Sequence, residues 1–370
     1  MHALLRFNLQ PMIYGEMANE NSTVSHLSDA MATTEYTQIT AGNRVTSSSS
    51  LANITFYFQL SVLIIGVFGT AANALILYAM VASKEHKNHL LIFNQNALDF
   101  FSCVFVVITY PVKFFNIYPF AGSLNYLICT LIMSDIFIWI GSIGSVINLA
   151  AITVERYLKV AHAVWSKKKL RRWMIYSAMA FAWIASAVYL VTFVFSTTVV
   201  INGICRPYKI FKNKSALFFH YIWYFLSFYV IILVIFIFCY GRILIVIRRQ
   251  AKVMASHNTS QSSTTQTQSN QIQTTVVKTM IFVCAFYAVF WSPHYIFFLM
   301  LKLSPTINIA QQSVYIGYYL SIFSAYLYTC INPFIYATKF QPVNQILRRM
   351  IPWKKTTEQA NENVARAEIR

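Results

Sequence analysis

The sequence is poor in charge, and above all in acidic side chains. Only 11% of its residues are charged and 57% are hydrophobic, against about 25% and roughly 45–50% in soluble domains. Its 11 Asp and Glu stand against 29 Lys and Arg, which gives a formal net charge of +18. So little charge argues against an ordinary soluble chain of two or three domains and predicts a membrane protein.

Seven long apolar stretches account for this composition, and each exceeds the roughly 20 residues that a helix needs to cross a bilayer. The ten-residue alternation of membrane β-barrel strands is absent. Because lipid offers no hydrogen-bond partners, each stretch is predicted to be a helix, and the fold class is an all-α membrane protein with a seven-transmembrane helix bundle. The stretches, called spans one to seven, are Phe56–Val81, Leu90–Phe115, Leu127–Ile152, Met174–Phe195, Phe219–Ile247, Val276–Leu301 and Val314–Tyr336.

Basic residues are distributed unevenly between the two sides of this bundle. The 1–2, 3–4 and 5–6 connections and the tail carry 20 of the 29 Lys and Arg, and the other side carries eight. By the positive-inside rule, the tail is cytoplasmic and the N-terminus is extracellular. The net charge then favours attraction to the anionic inner leaflet of the plasma membrane, and not nucleic-acid binding.

The polar segments divide the chain further. We expect a disordered extracellular N-terminus at 1–55, a seven-transmembrane domain at 56–338 and a mobile cytoplasmic loop at 250–275. A short amphipathic C-terminal helix is predicted at 339–353 in the inner interface, followed by a cytoplasmic tail at 354–370. No cleaved signal peptide is evident, so span one is expected to act as the anchor. Glycosylation sequons on the outer side begin at Asn21, Asn53 and Asn213.

The chain has only six cysteines. Cys129 opens span three on its outer side, and Cys205 lies in the outer loop between spans four and five. Because both face an oxidising compartment, a disulfide is predicted between them. The other four lie inside spans and are interpreted as small apolar core residues: Cys103, Cys239, Cys284 and Cys330.

Asp99 lies near the middle of span two, where a carboxylate is costly and must find partners. Asn73, Ser145 and Asn332 are expected at a comparable depth. An oxygen-rich cluster of this kind suits a hard cation such as sodium, or a shared proton. The alternative is a water-bridged polar network that only holds the helices together.

Glu155 and Arg156 are adjacent opposite charges near the inner end of span three. The 27 residues from Cys129 to Arg156 correspond to about 40 Å of helix, so Arg156 is predicted at the cytoplasmic surface. The simple interpretation is that Arg156 snorkels into the headgroups.

Two later spans contain proline in an informative context. Pro293 follows Trp291 by two residues in span six, and Pro333 precedes Tyr336 by three in span seven. Each proline removes a backbone hydrogen bond and is expected to kink its helix.

Taken in order, the motifs ERY in span three, FWSP in span six and NPFIY in span seven resemble those of rhodopsin-like (class A) G-protein-coupled receptors. The resemblance covers roughly Phe56 to Trp353. It implies a G-protein-coupling set of Glu155, Arg156, Tyr157, Tyr240 and Tyr336. It further implies a sodium-linked polar cluster of Asn73, Asp99, Ser145 and Asn332, and an activation hinge of Trp291, Pro293 and Pro333.

The chain departs from the family pattern at several positions. Spans four and five lack their usual proline, and Cys129 lies two residues further from Arg156 than is usual. Tyr328 stands where the sodium cluster often has Asn or Ser, which weakens the sodium prediction.

The ligand class follows from which side chains are present. Amine receptors carry an Asp where this chain has Ile138, with Asp135 one turn further out, so amines are disfavoured. Tyr326 replaces the lysine that a retinal Schiff base requires, which excludes retinal. The remaining pocket candidates are Asp135, Ile138, Trp291, His294, Tyr295 and Tyr326.

The outer loop around Cys205 is basic, which suits a peptide, above all one with an acidic group. The overall style resembles peptide receptors of the somatostatin, galanin and allatostatin group. A receptor for a small non-amine ligand is the alternative. A transporter or channel is remote, because the chain has one deep carboxylate and no internal repeat. No metal cluster or nucleophilic triad suggests an enzyme. The partners expected are a heterotrimeric G protein, arrestin and receptor kinases.

Overall fold

Seven long helices, each built on one of the predicted apolar spans, form the bundle in the part of the chain that the structure describes. The computed structural model describes residues 33–115, 123–201, 204–206, 214–256, 264–303, 311–339, 344 and 346–347. Spans one, two, four, six and seven are single helices: Thr33–Ala82, Leu90–Phe114, Arg172–Thr197, Thr264–Leu303 and Gln311–Lys339. The seven-helix prediction is confirmed.

Spans three and five each contain a π-helical turn. Span three consists of Ser123–Ile128, the π-turn Cys129–Met133 and the helix Ile136–Ala161. Span five consists of Lys214–Phe225, the π-turn Leu226–Val230 and the helix Ile231–Ser256. Span five therefore departs from regular α-helix geometry without a proline. The short elements are a 3₁₀ turn at Glu85–Lys87 and a helix at Ala163–Lys169.

Among the described residues, six of the long helices are apolar enough to cross a membrane by length and composition. The seventh, Gln311–Lys339, is not one of these six. It carries six tyrosines, whose hydroxyls lower its mean hydropathy.

Span three is the central helix of the bundle. Span one packs against spans two and seven, and span seven packs against span six, whereas span three contacts spans two, four and five. Its inward face is therefore almost continuously buried, from Ile136 to Arg156. A change in the position of span three therefore alters its packing against spans two, four and five.

The outer loop between spans four and five forms a small antiparallel hairpin, Val199–Ile201 paired with Ile204–Arg206. Cys205 lies in its second strand and is joined to Cys129 by a disulfide, with Cα atoms 5.5 Å apart. The pairing predicted from the sequence is present, and it ties the hairpin to the outer end of span three.

The long spacing between Cys129 and Arg156 is taken up by an interruption in span three. The π-turn holds extra residues relative to an α-helix. Asp135 then adopts a left-handed conformation with φ 55° and ψ 27° before the helix resumes at Ile136. The disulfide thus keeps its geometry although the sequence is longer than the family pattern.

Two predicted boundaries are corrected by the structure. The first helix begins at Thr33, so residues 33–55 are helical and not disordered. The predicted loop 250–275 is helical up to Ser256 and again from Thr264. Both segments lack proline, and the first has a single glycine, so a helix nucleated in the apolar span continues into them. Sequence polarity alone does not end a helix.

Several predictions lie outside the described residues. They concern the sequons at Asn21 and Asn213, the tail 354–370 and most of the amphipathic helix 339–353. Asn53 is exposed and lies within the first helix. Four cysteines inside the spans are buried and unpaired by disulfides, as predicted.

Close packing of spans two and three predicts a clear difference between two glycine variants. A Cβ at Gly141 would lie 2.8 Å from the Leu98 carbonyl oxygen and closer still to Ser102 Oγ, whereas a Cβ at Gly241 meets nothing within 4 Å. We expect Gly141→Ala to cost about 1–3 kcal/mol of unfolding free energy. Gly241→Ala, the matched control, should leave it nearly unchanged. Thermal unfolding of the purified protein measures both, and equal midpoints would contradict the packing described.

Candidate functional site

At the inner end of span three, Glu155 holds two cations. Its Oε2 lies 3.1 Å from Arg156 Nη2, and its Oε1 lies 2.6 Å from Lys159 Nζ. The Glu155 and Arg156 side chains are 7% and 9% exposed, so water screens their attraction only weakly. Glu155 and Arg156 therefore form a buried ion pair, and Arg156 does not extend into solvent as the snorkelling interpretation requires.

His89, at the start of span two, contacts the same arginine from the opposite side. Its Nδ1 lies 3.3 Å from Arg156 Nη2, and its Nε2 lies 3.6 Å from Glu85 Oε2. Burial, followed by the positive charges of Arg156 and Lys159, lowers the pKa of His89 to about 4. Because a guanidinium only donates hydrogen bonds, the neutral imidazole accepts one at Nδ1. Arg156 is thereby tied to span two.

Tyr240 and Tyr336 lie buried at this end of the bundle. The Tyr240 hydroxyl is 3.3 Å from Thr153 Oγ1, one turn before Arg156. The Tyr336 hydroxyl has no hydrogen-bond partner among the described residues. Tyr157 turns away from them, with its hydroxyl 3.1 Å from His162 Nε2. The structure therefore gathers Tyr240 and Tyr336 into the interior but leaves Tyr157 at the edge.

In the middle of the bundle, Asp99 receives a hydrogen bond from Asn332 Nδ2 at 2.8 Å. Asn73 donates to the Gly69 and Thr329 carbonyls at 2.9 and 3.2 Å, so it joins span one to span seven. In the part of the chain that the structure describes, three buried oxygens of these residues accept no hydrogen bond: Asp99 Oδ1, Asn73 Oδ1 and Asn332 Oδ1. One carboxylate and two amide oxygens are ligands that a hard cation accepts, so these residues fit sodium.

Ser145, the fourth predicted member of this cluster, interacts with the Asp99 carboxylate and also connects it to a second polar network. Gln95 Nε2 donates to Ser145 Oγ, and Gln95 Oε1 accepts a hydrogen bond of 2.9 Å from Asn148. Asn94 donates to Asn148 at 2.9 Å and accepts from Trp183 Nε1 at 3.0 Å. This amide network joins spans two, three and four. It was not predicted, although the amides of FNQNALD within an apolar span were a visible signal.

Towards the outer side, the bundle contains a cavity of about 650 Å³, including its open mouth. Among the described residues, the lining is mostly aromatic and contains no Asp, Glu, Lys or Arg. Twelve residues contribute: Trp139, Ile143, Tyr189, Leu190, Phe193, His220, Tyr221, Tyr224, His294, Phe298, Tyr318 and Ile322.

Of the six predicted pocket residues, His294 alone lines this cavity. Trp291 is fully buried one turn inward of His294, and Tyr295 packs on it with ring centroids 5.7 Å apart. Ile138 and Tyr326 are buried in a neighbouring apolar cluster. Asp135 is outside the lining and pairs with Lys113, 2.6 Å from its carboxylate.

Trp139 connects the cavity to the predicted hinge. Its ring centroid lies 5.2 Å from that of His294, 6.3 Å from that of Trp291 and 5.6 Å from that of Tyr326. A group that enters the cavity and displaces Trp139 must therefore disturb the packing around Trp291. Trp139 was not predicted, because an aromatic residue in an apolar span gives no sign of the face on which it lies.

The hinge prolines lie inside continuous helices. Pro293 is within Thr264–Leu303 and Pro333 within Gln311–Lys339. Pro293 removes one backbone hydrogen bond from span six. The neighbouring Trp291 indole is buried without a hydrogen bond to its nitrogen among the described residues.

The comparisons with known proteins agree on one family. The family model described as 7 transmembrane receptor (rhodopsin family) matches residues 72–336. C5a anaphylatoxin chemotactic receptor 1 of Rattus norvegicus is 25% identical over 304 residues, which cover 79% of this chain and 78% of the relative. Melatonin receptor type 1C of Xenopus laevis is 21% identical over 287 residues, covering 77% and 65%. The crystal structure of squid rhodopsin shares the fold, with a TM-score of 0.65, 17% identity and coverage of 82% and 86%.

The environment of His89 predicts a pH dependence of stability. Between pH 6.5 and about 4 the unfolded chain binds a proton that the folded chain does not, so stability falls as the pH falls through this window. His89→Gln cannot titrate and should unfold with a flatter pH profile in denaturant titrations. His162→Gln, which removes an exposed imidazole, should keep the slope of the wild type. Equal slopes for the wild type and His89→Gln would contradict the assigned environment.

Proposed function

Because the chain belongs to the rhodopsin family of seven-transmembrane receptors, and is therefore a receptor and not an enzyme, we propose that it couples an extracellular peptide to a heterotrimeric G protein. The N-terminus and the aromatic cavity face the outside of the plasma membrane. The ERY end of span three faces the cytoplasm, as the distribution of basic residues requires.

One observation carries this proposal: the buried pair of Glu155 and Arg156 beside Tyr240 and Tyr336. A buried ion pair whose members can separate is a two-state element, because its desolvated charges need either each other or a new partner. In the resting state Glu155 and His89 hold Arg156 inside the bundle. In the active state the inner half of span six moves outward about Pro293, and Arg156 extends toward the G protein.

Ligand and G protein are linked through this equilibrium. A ligand that binds the active state more tightly shifts the population toward it, and the G protein does the same from the other side. Each therefore raises the affinity of the other by an equal factor. Trp139 and Trp291 form the contact path from the cavity to the hinge.

A peptide is supported by the open aromatic cavity and by the basic outer loop that contains Cys205. The curated relative from rat is, by its name, a receptor for the C5a anaphylatoxin. The somatostatin, galanin and allatostatin receptors remain the peptide-receptor group that the sequence resembles. Hydroxyl groups in the 5–6 connection offer sites for receptor kinases and, once phosphorylated, for arrestin.

The second candidate is a receptor for a small non-amine ligand. The part of the cavity lining that the structure describes carries no Asp, Glu, Lys or Arg and is rich in aromatic rings, which suits an uncharged aromatic molecule. The second relative is named as a melatonin receptor. The two candidates are distinguished by measuring whether the protein binds peptides or small aromatic compounds more tightly.

Sodium would be held by Asp99, Asn73 and Asn332, where it neutralises the carboxylate. The same residues then join spans one, two and seven more tightly, which favours the resting arrangement. The alternative is that water fills the place and the cluster only connects the helices.

Breaking the ion pair between Glu155 and Arg156 should activate the protein without ligand. We expect Glu155→Gln to raise basal nucleotide exchange on a panel of purified Gα subunits several-fold, because Arg156 loses its neighbouring countercharge. Glu155→Gln combined with Arg156→Ala should return exchange to the receptor-free rate. Lys159→Gln is the matched control, since it removes the other cation of Glu155 and leaves the Arg156 contact.

Unchanged basal exchange in Glu155→Gln would contradict the resting role of the pair. Full exchange in the double variant would remove Arg156 from the coupling role. Cell-surface or nanodisc quantification of folded protein is needed for each variant so that rates are compared per receptor.

The sodium proposal is tested by stability. Sodium chloride should raise the melting temperature of the wild type relative to N-methylglucamine chloride at equal ionic strength, because a ligand of the folded state stabilises it. Asp99→Asn should lose this shift. A sodium-independent melting temperature in the wild type would favour the water-bridged network, and an equal shift in both proteins would place the ion elsewhere.

A further inference from the structure

A second buried ion pair, far from that of Glu155 and Arg156, lies at the outer end of the bundle. Lys113 in the last turn of span two places its Nζ 2.6 Å from Asp135 Oδ1 of span three. Their side chains are 6% and 15% exposed. Because both ions have lost most of their water, the pair is costly to keep and each member is ready to exchange its partner for another ion of the same sign.

Asp135 occupies a conformation that a non-glycine residue adopts at a cost. Its φ of 55° lies in the left-handed region, and its side chain makes no helix-capping hydrogen bond. The Asp135 carbonyl accepts a hydrogen bond of 3.0 Å from the backbone N–H of Trp139, which lines the cavity. The pair with Lys113 therefore holds the interruption of span three directly above a wall of the cavity.

The surroundings of the pair favour an incoming anion. Beyond the first 35 residues, Asp135 is the single acidic residue on the outer side of the sequence-derived topology. Six basic residues share that side with it from span two onward: Lys113, Arg206, Lys209, Lys212, Lys214 and Lys302. An anion that approaches the mouth of the bundle is attracted, and an approaching cation is repelled.

Aromatic side chains connect the pair to the cavity. Lys113 Nζ lies 5.1 Å from the centroid of the Tyr110 ring, whose π face stabilises the cation. The Tyr110 ring packs at 6.2 Å on Tyr326, which contacts Trp139 at 5.6 Å. The buried Tyr326 hydroxyl already interacts with the Asp135 carboxylate. Asp135 therefore keeps a polar partner if Lys113 leaves.

We infer that Lys113 is the carboxylate-binding residue of the ligand site, and that Asp135 is its internal competitor. A ligand with an aromatic group and a carboxylate places the ring in the cavity and its carboxylate on Lys113. Asp135 is displaced and accepts from the Tyr326 hydroxyl. This inference rests on the proposed receptor function and names the chemistry of its ligand as an aromatic acid, such as a peptide end with a free carboxylate.

The exchange has a mechanical consequence. Once Lys113 is taken by the ligand, Asp135 is no longer held in the left-handed conformation by its countercharge. A change in the backbone conformation of Asp135 alters the hydrogen bond that its carbonyl accepts from the Trp139 N–H. The Trp139 ring in turn contacts Trp291. Lys113 is in this account a specificity residue, and Asp135 a positioning residue that connects ligand binding to the hinge.

The test compares one aromatic acid with its amide on purified receptor in nanodiscs, without G protein. The probes are 3-(indol-3-yl)propionate and 3-(indol-3-yl)propionamide, and the readout is the dissociation constant from a thermal-shift titration. Asp135→Asn removes the competitor, so it should bind the acid about tenfold more tightly than the wild type does, with the amide unchanged. Lys113→Met should bind acid and amide alike, and Lys113→Arg should retain the preference for the acid.

Arg206→Gln is the matched control, because it removes one positive charge from the outer loop. The acid-to-amide preference should persist. Equal binding of acid and amide by Asp135→Asn, or a preserved preference in Lys113→Met, would overturn the inference. So would failure of Asp135→Asn to bind the acid up to its solubility limit. Ligand binding is measured here without G protein, whereas the test on Glu155→Gln measures nucleotide exchange. A negative result in one experiment therefore does not decide the outcome of the other.

Discussion

Lipid cannot donate or accept a hydrogen bond, and this constraint shapes every polar contact in the bundle. A polar side chain that enters a span must find a partner on another helix. Asp99 finds Asn332 of span seven, Asn148 finds Asn94 and Gln95 of span two, and Asp135 finds Lys113. The few polar residues of an apolar chain are therefore its helix-to-helix connections, and moving one helix requires that these connections exchange partners.

Two buried ion pairs stand at opposite ends of this arrangement. Glu155 and Arg156 lie at the inner end of span three, and Asp135 with Lys113 lies at its outer end. Each pair includes a residue of span three, the helix that contacts spans two, four and five. A central helix with an ion pair at each end is the basis of the proposed response to a ligand and to a G protein. Aromatic packing joins Trp139, one turn inward of Asp135, to Trp291 of span six.

The bundle was predictable from sequence because its signal is physical and strong. Seven apolar stretches of sufficient length admit one kind of fold, and ERY, FWSP and NPFIY identify positions within it. Side-chain direction was not predictable in the same way. His89, Gln95 and Trp139 became evident only when packing showed which faces meet. The left-handed Asp135 and the π-turns arise from interhelical packing, which no local propensity encodes. The helical segments 33–55 and 250–256 show that a polar composition does not by itself end a helix.

The central claim is that G protein binds a state in which the inner end of span six has moved outward. It is tested most directly by the distance between spin labels on Arg172→Cys and Lys278→Cys, both exposed positions, in a protein whose four free cysteines are buried. Double electron–electron resonance should show a second, longer distance when nucleotide-free G protein is added, and Arg156→Ala should abolish it. A single distance that does not change when G protein is bound would contradict the account.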